Sequence, residues 1–424
     1  MKERLTAKNF VLGFQHLIAM FGATVLVPSL TGFNPAIALL AAGIGTLIFH
    51  FVTKGKVPVF LGSSFSFIAV IVTVRDMPGG SLAHAQGGLF VAGLIYVLLS
   101  FLIKKVEFET IQKVLPPYVV GPMIIIIGLT LIPVAIDNAK GHLVLAGLTL
   151  VYVLGLQLFS KGIIKQMSIL IAVIMGYATA IVIDLVANTS LVSLNAVSEA
   201  SIIAVPEMTL PKFSLTAILT IVPVVLAVFM EHLGDITTNG AVVKKDFIKD
   251  PGLNRTLLGD GLATMFAAMI GGPANTTYGE NTSVLAITKN YNPVNLRIAA
   301  CFAIVLALVG KIGAVLQTIP LPVMGGISLV LFAMISWVGV KTMRDNKITY
   351  NFQSISVMSL MLIVGLGSSY LSKYADINIG IPISETVSLT GLSLAALLGV
   401  VLNLILNVVL KKDTNFKSEE KKAV

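Results

Sequence analysis

The sequence predicts an all-α protein that crosses a membrane many times. Of its 424 residues, 56% are hydrophobic and 12% are charged, whereas about 25% of the residues of a typical soluble protein are charged. A soluble chain could not hide so much apolar surface from water, which excludes soluble enzymes. The same hydrophobicity excludes intrinsic disorder. The single cysteine, Cys301, excludes a disulfide framework and a cysteine-based metal cluster.

Fourteen apolar stretches supply the predicted membrane spans, because a spanning helix needs about 20 mostly apolar residues. Ten of the stretches are largely uninterrupted: 10–30, 36–53, 87–103, 114–135, 142–160, 168–186, 214–232, 298–315, 354–371 and 386–410. The other four are short or broken by glycine and proline, which predicts interrupted helices. These four are 57–74, 256–271, 275–288 and 319–338.

The basic residues alternate with the apolar stretches. When the N-terminus is placed in the cytoplasm, 24 of the 29 Lys and Arg fall in cytoplasmic segments and four fall outside, while Lys311 falls inside a stretch. This bias is typical of multi-pass proteins, whose cytoplasmic loops are rich in Lys and Arg. It predicts a multi-pass protein of the cell membrane with both termini in the cytoplasm. The net charge of +9 then reflects topology and anionic lipid, not nucleic-acid binding.

A polar connection near residues 187–213 divides the stretches into seven plus seven, and an odd number in each half makes the halves inverted. The motif GSSF at 62–65 resembles NTTY at 275–278, with Phe65 matched to Tyr278. In a second pair of similar segments, Pro116 and Pro117 precede Gly121, and Pro320 and Pro322 precede two glycines at 325–326. Interrupted helices at matching positions of inverted repeats predict a transporter whose site lies between the two breaks.

Most of the 20 acidic residues are assigned to loops or span ends, and the exceptions are Glu231, Asp235 and Glu280. A carboxylate inside a membrane is costly and is therefore functional by default. Glu231 and Asp235 are four residues apart, so they share one helix face, as site residues or as a cap at the end of the eighth span. Glu280 follows the break in the tenth span. His16, in the first span, is a candidate for the site or for packing. A structural role is favoured for His232.

The ligand expected at such a site is a small planar heterocycle. The N-termini of broken helices present free N–H groups to carbonyl oxygens, and carboxylates accept N–H donors. Phe65 and Tyr278 at the two breaks can stack on a flat ring, although both could also be ordinary core aromatics. No Lys or Arg lies at the breaks, which argues against a strongly anionic ligand. A carboxyl group in such a site can also take up and release a proton.

At these residues the chain resembles the nucleobase–ascorbate transporter family, most closely its bacterial uracil permeases. The resemblance covers roughly residues 10–410. It is carried by five motifs: QH at 15–16, GSSF at 62–65, EHLG at 231–234, NTTYGEN at 275–281 and IPLPVMGG at 319–326.

The resemblance implies fourteen transmembrane segments in two inverted repeats of seven, with short strands before half-helices 3 and 10. It implies a core domain of spans 1–4 and 8–11 and a gate domain of spans 5–7 and 12–14, with a homodimer formed through the gate. The corresponding segments are core at 1–110 and 214–316, gate at 111–213 and 317–410, and a cytoplasmic tail at 411–424.

The resemblance also assigns site residues, and it implies no cofactor and no metal. It assigns substrate binding to Glu231, Glu280, Phe65, Tyr278, Gly279 and Ser64. It assigns proton coupling to Glu231, Asp235, Glu280 and His16. Asn281 and Gln15 are the supporting polar groups.

The implied function is import of uracil across the cytoplasmic membrane by proton symport with alternating access, not enzymatic catalysis. Two departures from the family pattern leave an alternative open. Asp235 stands where uracil permeases often carry histidine, as in the family's purine transporters, and Ser283 replaces a signature glycine. Glu280 matches the uracil transporters. A symporter for xanthine or another purine base is therefore the alternative. An anion transporter on a similar fold is disfavoured by the embedded glutamates, and sodium coupling stays open.

Overall fold

The computed structural model describes residues 6–105, 110, 113–377, 379–384 and 387–420. It is predominantly helical, as predicted for an all-α polytopic membrane protein. Within the described residues, nine helices are long and apolar enough to cross a membrane by length and composition. The prediction of fourteen spans therefore stays a prediction. The nine helices are Ala7–Thr31, Pro35–Val52, Leu82–Ile103, Pro117–Ala139, Ser168–Ala187, Leu215–Val243, Leu321–Asp345, Phe352–Ala375 and Gly391–Val409.

Two compact units make up the chain. The first is drawn from residues 1–104 and 131–331, and the second from residues 105–130 and 332–424. The boundaries at 130 and 331 fall inside two long helices. The core and gate segments expected from the sequence stay a prediction.

In the first half of the chain the third apolar stretch is broken into a strand, a 3-10 turn at Phe65–Phe67 and a short helix. The elements are α1 (Ala7–Thr31), α2 (Pro35–Val52), β1 (Leu61–Ser63), α3 (Ile68–Asp76), α4 (Leu82–Ile103), α5 (Pro117–Ala139), α6 (Leu143–Phe159), α7 (Gly162–Gln166), α8 (Ser168–Ala187) and α9 (Asn195–Glu199).

In the second half the tenth stretch is broken in the same way. The elements are α10 (Leu215–Ile221), α11 (Val225–Val243), α12 (Leu253–Ile270), β2 (Asn275–Thr277), α13 (Gly279–Thr288), α14 (Pro293–Ala307), α15 (Gly310–Gln317), α16 (Leu321–Asp345), α17 (Phe352–Ala375), β3 (Gly380–Ser384), β4 (Val387–Thr390) and α18 (Gly391–Glu420). A 3-10 turn at Val222–Val224 joins α10 to α11, and a π-helical turn at Ile248–Gly252 precedes α12. Helix α18 runs into the predicted tail, whose residues 421–424 lie outside the described residues.

The eighth span was expected to end near residue 232, but the helix continues to Val243. Glu231 and Asp235 consequently lie in the middle of α11. The alternative that they cap the end of a span is therefore wrong. The sequence suggested an early end because the residues after 233 are polar, yet several of these polar residues contact protein and not water. Asn239, for example, is fully buried and donates to Pro58 O at 3.0 Å.

The eleventh apolar stretch was expected to be one helix with Lys311 inside it. The structure breaks it into α14 and α15, with Lys311 as the second residue of α15. Its Nζ donates to Val197 O at 3.1 Å and to Ser198 O at 3.4 Å. These carbonyls belong to the C-terminal part of α9, where a cation is favourable. The lysine therefore anchors a short connecting helix.

The two proline-containing segments both mark helix starts. Helix α5 begins at Pro117 and α16 at Leu321, and proline fits a first turn because its missing N–H has no partner there. The glycines that follow allow close contact. A Cβ added at Gly121 would lie 3.0 Å from Gly339 O, and one at Gly325 would lie 2.6 Å from backbone of α5.

Glycines also allow close helix crossings in the first unit. A Cβ at Gly261 of α12 would lie 2.9 Å from Gly93 O of α4. A Cβ at Gly43 of α2 would lie 2.7 Å from Ala300 O of α14. Small residues let helix backbones approach this closely, which is a common basis of helix packing in membranes.

The Gly261→Ala variant tests the α4–α12 crossing. The added Cβ meets Tyr96 Cβ at 2.8 Å as well as backbone, so we expect the free energy of unfolding to fall by about 1–3 kcal/mol. The measurement is thermal unfolding of the purified protein in detergent.

Gly147→Ala is the matched control, because a Cβ at this helical glycine of α6 meets nothing within 4 Å. It should leave the melting temperature unchanged or raise it slightly, since alanine is the better helix former. Equal melting temperatures for Gly261→Ala and Gly147→Ala would contradict the close packing of α4 against α12 at Gly261.

Candidate functional site

Two short strands pair at the breaks of the third and tenth apolar stretches. β1 and β2 are antiparallel, with Leu61 opposite Thr277, Gly62 opposite Thr276 and Ser63 opposite Asn275. Backbone bonds extend the pairing at both ends, from Ser64 N to Ala274 O at 2.8 Å and from Tyr278 N to Phe60 O at 3.0 Å. The strands expected before half-helices 3 and 10 are therefore present.

This pairing corrects one detail of the sequence comparison. The hydrogen bonds are symmetric about Gly62 and Thr276, so Ser64 and Tyr278 occupy equivalent backbone positions. The sequence comparison matched Phe65 with Tyr278, one residue out of register. Side-chain similarity suggested that match, whereas the backbone pairing decides which positions correspond.

Threonines on two neighbouring helices hold the strand pair in place. Thr46 of α2 accepts from Leu61 N at 2.9 Å and donates to Leu61 O at 3.3 Å. Thr264 of α12 donates to Asn275 O at 2.9 Å. Two strands of three residues are too short to be stable alone. The surrounding helices therefore fix the position of the breaks.

A helix begins directly after each strand. The 3-10 turn that leads into α3 starts at Phe65, and α13 starts at Gly279. The residues before these starts, Ser64 and Tyr278, make no side-chain capping bond. The first N–H groups of a helix have no partner within it. Both helix starts therefore offer N–H groups to an acceptor, and the buried Ser64 hydroxyl also has no hydrogen-bond partner among the described residues.

Helix α11 has one open face and one buried face. Glu231 and Asp235 are half-buried and Gly234 between them is exposed, with open space where its Cβ would be. The adjacent face, about 100° round the helix, is packed and buried, at His232 and Ile236 among others. Positions four apart lie on one side of a helix, so the two carboxylates line one accessible surface.

Hydroxyl groups from the breaks hold both carboxylates of α11. Ser66 Oγ donates to Glu231 Oε2 at 2.7 Å, and Thr277 Oγ1 donates to Asp235 Oδ2 at 2.8 Å. Sequence reasoning assigned no role to either hydroxyl, although both lie in or beside the quoted motifs. Glu280, the second residue of α13, is half-buried and interacts electrostatically with Glu231.

The two aromatic candidates differ in their surroundings. Tyr278 is 3% exposed, its hydroxyl donates to Ser63 O at 2.9 Å, and a Cβ at Gly62 would run into its ring. It therefore braces the two strands. Phe65 is half-buried. Stacking of either ring on a ligand stays a prediction.

A second polar group joins α1 to α13. His16 and Asn281 are both fully buried. Asn281 Nδ2 donates to His16 O at 3.0 Å and lies 3.3 Å from His16 Nδ1. His16 Nε2, Asn281 Oδ1 and Gln15 Nε2 have no hydrogen-bond partner among the described residues. The structure thus brings His16 and Asn281 together, with Gln15 adjacent in sequence.

Sequence reasoning missed one buried acid. Asp260 lies in the ninth apolar stretch, near its start, and was counted with the residues at span ends. Helix α12 begins at Leu253, so Asp260 lies inside the helix, and it is fully buried beside His232. The rule that a carboxylate inside a membrane span is functional by default identified Glu231. It would have identified Asp260 too if the start of the helix had been known.

The arrangement can bind a molecule with alternating donors and acceptors. Half-buried carboxylates at Glu231 and Glu280 accept N–H groups, and the helix starts at Phe65 and Gly279 donate N–H groups to oxygen. Gly279 is exposed and its missing Cβ leaves open space. All these groups belong to the first unit.

A model of a permease family matches residues 7–374 of the chain. The chain is 41% identical over 414 residues to a probable uracil permease of Pasteurella multocida, covering 95% of each chain. It is 38% identical over 422 residues to the uracil permease of Bacillus caldolyticus, covering 96% of this chain and 94% of the relative. It is 40% identical over 411 residues to the uracil permease of Escherichia coli, covering 94% and 91%.

Solved structures of low sequence identity share the fold. The transmembrane domain of the cyanobacterial bicarbonate transporter BicA has a TM-score of 0.58 at 16% identity, covering 94% of this chain and 97% of that chain. The murine Solute Carrier 26 family member A9 anion transporter, in its inward-facing state, has a TM-score of 0.68 at 13% identity, covering 96% and 70%. At such identities the likeness concerns the fold alone.

Replacing Thr46 or Thr264 by valine tests the attachment of the strands. Each change keeps the side-chain shape but leaves buried backbone groups of a strand unpaired, so we expect the free energy of unfolding to fall by about 1–2 kcal/mol. Thermal unfolding in detergent measures the effect. Thr73→Val is the control, because this exposed threonine bonds only to Ala69 O of its own helix. An equally large fall in the free energy of unfolding of Thr73→Val would contradict a specific contribution of Thr46 and Thr264 to the stability of the strands.

Proposed function

We infer the function from a premise that the comparisons establish: the chain belongs to the nucleobase–ascorbate transporter family of permeases and is a multi-pass membrane transporter, not an enzyme. We propose that it imports uracil across the cytoplasmic membrane by proton symport. In this proposal, alternating access exposes the site of Glu231 and Glu280 to each side of the membrane in turn.

The proposal rests on one observation. The candidate site combines two carboxylates with two helix starts whose first N–H groups have no partner within the helix. Uracil is a flat ring whose edge alternates N–H and C=O groups. Glu231 and Glu280 supply acceptors for the N–H groups, and the N–H groups at Phe65 and Gly279 supply donors for the carbonyls. The relatives named as uracil permeases match the chain over nearly its whole length, which supports uracil as the base.

The purine alternative rests on Asp235. Its carboxylate accepts the Thr277 hydroxyl, so one of its oxygens is already engaged with β2. This supports a role for Asp235 in holding α11 against the strand. His16, Asn281, Gln15 and Ser64 are then polar groups that support the ligand or its proton, as the resemblance implies.

Inverted repeats are part of the proposal, and the symmetry of the first unit supports them. The β1–β2 pair is symmetric about its central residues. Helices α2 and α12 each carry a glycine and, three residues later, a threonine. Gly43 and Gly261 allow a close helix crossing, and Thr46 and Thr264 each donate to a backbone carbonyl of a strand.

The remaining parts of the proposal have support from the sequence only. The bias of Lys and Arg supports cytoplasmic termini. The division into core and gate domains, and the homodimer, follow from the family resemblance.

Uptake of radiolabelled uracil in cells lacking their own uracil permease tests the function, with xanthine as the competing substrate. We expect saturable uracil uptake that falls by about 10–100-fold in Glu280→Gln, because a hydrogen bond to a charged group contributes about 1.5–3 kcal/mol. Glu207→Gln, at an exposed loop position, is the control and should transport normally.

Three outcomes would overturn parts of this function. Xanthine uptake in place of uracil uptake would favour the purine alternative. Uracil uptake retained in Glu280→Gln would remove Glu280 from the site. Accumulation that survives a protonophore but collapses with the sodium gradient would replace proton coupling by sodium coupling.

Ser66→Ala tests the hydroxyl that holds Glu231. Without this donor the carboxylate loses a fixed orientation, so we expect the KM for uracil to rise by about 3–10-fold, corresponding to a hydrogen bond of about 0.5–1.5 kcal/mol. Ser66→Thr retains the hydroxyl and should restore most of the affinity. Ser198→Ala, an exposed serine that bonds to Asn195 O, is the control. An unchanged KM in Ser66→Ala would show that the bond does not orient Glu231 for binding.

A further inference from the structure

Helix α1 contacts both of the half-helices that begin at the candidate site. The first half-helix is the 3-10 turn followed by α3, at residues 65–76, and the second is α13, at residues 279–288. Each half-helix is joined to α1 near its start and again at its far end. The function proposed above gives the contacts at the far ends no role.

Two hydrogen bonds near the middle of α1 hold the starts of the half-helices. Ser63 Oγ, in the strand before the first half-helix, donates to Thr24 O at 3.1 Å. Asn281 Nδ2, in the first turn of the second half-helix, donates to His16 O at 3.0 Å. All four residues are fully buried. The starts are therefore attached to two backbone carbonyls of α1.

Arg75 attaches the far end of the first half-helix to the C-terminal end of α1. Its Nη1 donates at 2.9 Å to the carbonyl of Thr31, the last residue of α1. Its Nε and Nη2 donate to the two carboxylate oxygens of Asp76 at 2.6 and 2.8 Å, which orients the guanidinium group. The last carbonyls of a helix have no partner within it and favour a cation. The contact therefore satisfies the end of α1 and fixes the end of α3.

A chain of asparagines attaches the far end of the second half-helix to the N-terminal end of α1. Asn9 Nδ2 donates to Asn295 Oδ1 at 2.8 Å. Asn295, fully buried near the start of α14, donates through Nδ2 to Asn290 Oδ1 at 3.0 Å. Asn290 N in turn donates at 3.4 Å to the hydroxyl of Thr288, the last residue of α13. Asn9 is thus connected to the end of α13 through two side chains.

The four attachment points follow one another along one side of α1. They are residues 9, 16, 24 and 31, separated by 7, 8 and 7 positions. At about 100° per residue they lie within about 80° of one another round the helix, and at about 1.5 Å per residue they extend over about 33 Å. One side of a single helix therefore contacts both half-helices near their starts and at their far ends.

Close packing fixes α1 in turn. A Cβ added at Gly13 would lie 3.1 Å from Asn295 O of α14, and one added at Gly22 would lie 3.1 Å from Leu170 N of α8. Backbone of two other helices consequently contacts α1 directly, and a shift of α1 would require these helices to move as well. Helix α1 is therefore a rigid support for the half-helices.

We propose that Arg75 and Asn9 are positioning residues for the ligand: by fastening the far ends of the half-helices to α1, they fix the distance between the helix starts at Phe65 and Gly279. Neither Arg75 nor Asn9 belongs to the proposed ligand site. The inference rests on the proposed function, in which the two helix starts bind the two carbonyl groups of one base.

The physical reason is the stiffness of a short helix. A half-helix that is released at its far end can tilt about its start, so its first N–H groups occupy several positions. Binding of a base must then order them, which lowers the affinity. A base with two carbonyl groups contacts both helix starts and depends on the distance between them. A base with one carbonyl group contacts one helix start and does not depend on that distance.

The test measures counterflow in proteoliposomes, in which radiolabelled uracil exchanges for unlabelled uracil. No gradient drives this exchange, so the result does not depend on the coupling ion. Two constants are measured, the KM for uracil and the inhibition constant of pyrimidinone, which is uracil without one of its two carbonyl groups. Neither constant depends on the fraction of protein that is folded.

Arg75→Ala and Asn9→Ala each release one half-helix. We expect each change to raise the KM for uracil by about 3–10-fold, the effect of losing about one hydrogen bond, at an unchanged maximal rate. The inhibition constant of pyrimidinone should stay within about twofold of its wild-type value, because this ligand does not join the two helix starts.

Double variants show whether the two attachments act separately. Arg75→Ala combined with Asn9→Ala should raise the KM by about 10–100-fold, because effects at distant sites add as free energies. Asn9→Ala combined with Asn295→Ala should equal Asn9→Ala alone, because both changes remove the same hydrogen bond.

Two matched controls should leave both constants unchanged. Lys140→Ala removes an ion pair with Asp137, three residues away in the same segment of chain. Thr6→Ala removes the hydroxyl that donates to Asn9 Oδ1 but keeps the Thr6 backbone N–H, which donates to the same oxygen at 3.0 Å. Asn9 therefore remains oriented towards Asn295 in this control.

The outcomes separate this inference from the proposed function. If the wild type does not exchange uracil, uracil transport itself is wrong. If the wild type exchanges uracil and both Arg75→Ala and Asn9→Ala retain its KM, only the positioning role is overturned. An equal rise of the KM and the pyrimidinone constant would indicate general damage to the site. A lower melting temperature and maximal rate with both constants unchanged would indicate a purely structural role. Either result would also overturn the inference.

Discussion

The antiparallel pairing of β1 with β2 is the interaction on which the rest of the site depends. A chain inside a membrane must pair every backbone N–H and C=O group, and non-helical backbone is tolerated there only when protein surrounds it. The three residue pairs of these strands, with Thr46 and Thr264 from flanking helices, satisfy that requirement. The consequence is that two helices can start inside the protein, each with free N–H groups at its first turn.

Helix α11 places ionisable groups on two adjacent sides with different surroundings. Its open face carries Glu231 and Asp235, each held by a hydroxyl from one of the two breaks. Its packed face carries His232 against Asp260.

The shared fold and the chemistry of the site support different conclusions. Two solved structures that share this fold are described as a bicarbonate transporter and an anion transporter, at sequence identities of 16% and 13%. At such identities their ligands do not carry over to this chain. The site of this chain contains three half-buried or partly enclosed carboxylates and no lysine or arginine at the breaks. Acceptors of this kind suit N–H groups, which supports a neutral base as the ligand.

Local pattern was sufficient to predict the membrane class, the positions of the two interruptions and most of the acidic candidates. Apolar length, charge bias and Gly–Pro content depend only on neighbouring residues, so the sequence reports them directly. The extent of α11, the register of the strands and the break before α15 were predicted wrongly, because contacts such as Asn239 with Pro58 O decide where polar residues can remain helical. The partners Ser66, Thr277 and Asp260 come from distant parts of the chain, and no single-sequence pattern records which side chains meet. The sequence by itself therefore determined what kinds of groups a membrane interior would hold, whereas tertiary packing alone decided which hydroxyl and which histidine stand beside each carboxylate.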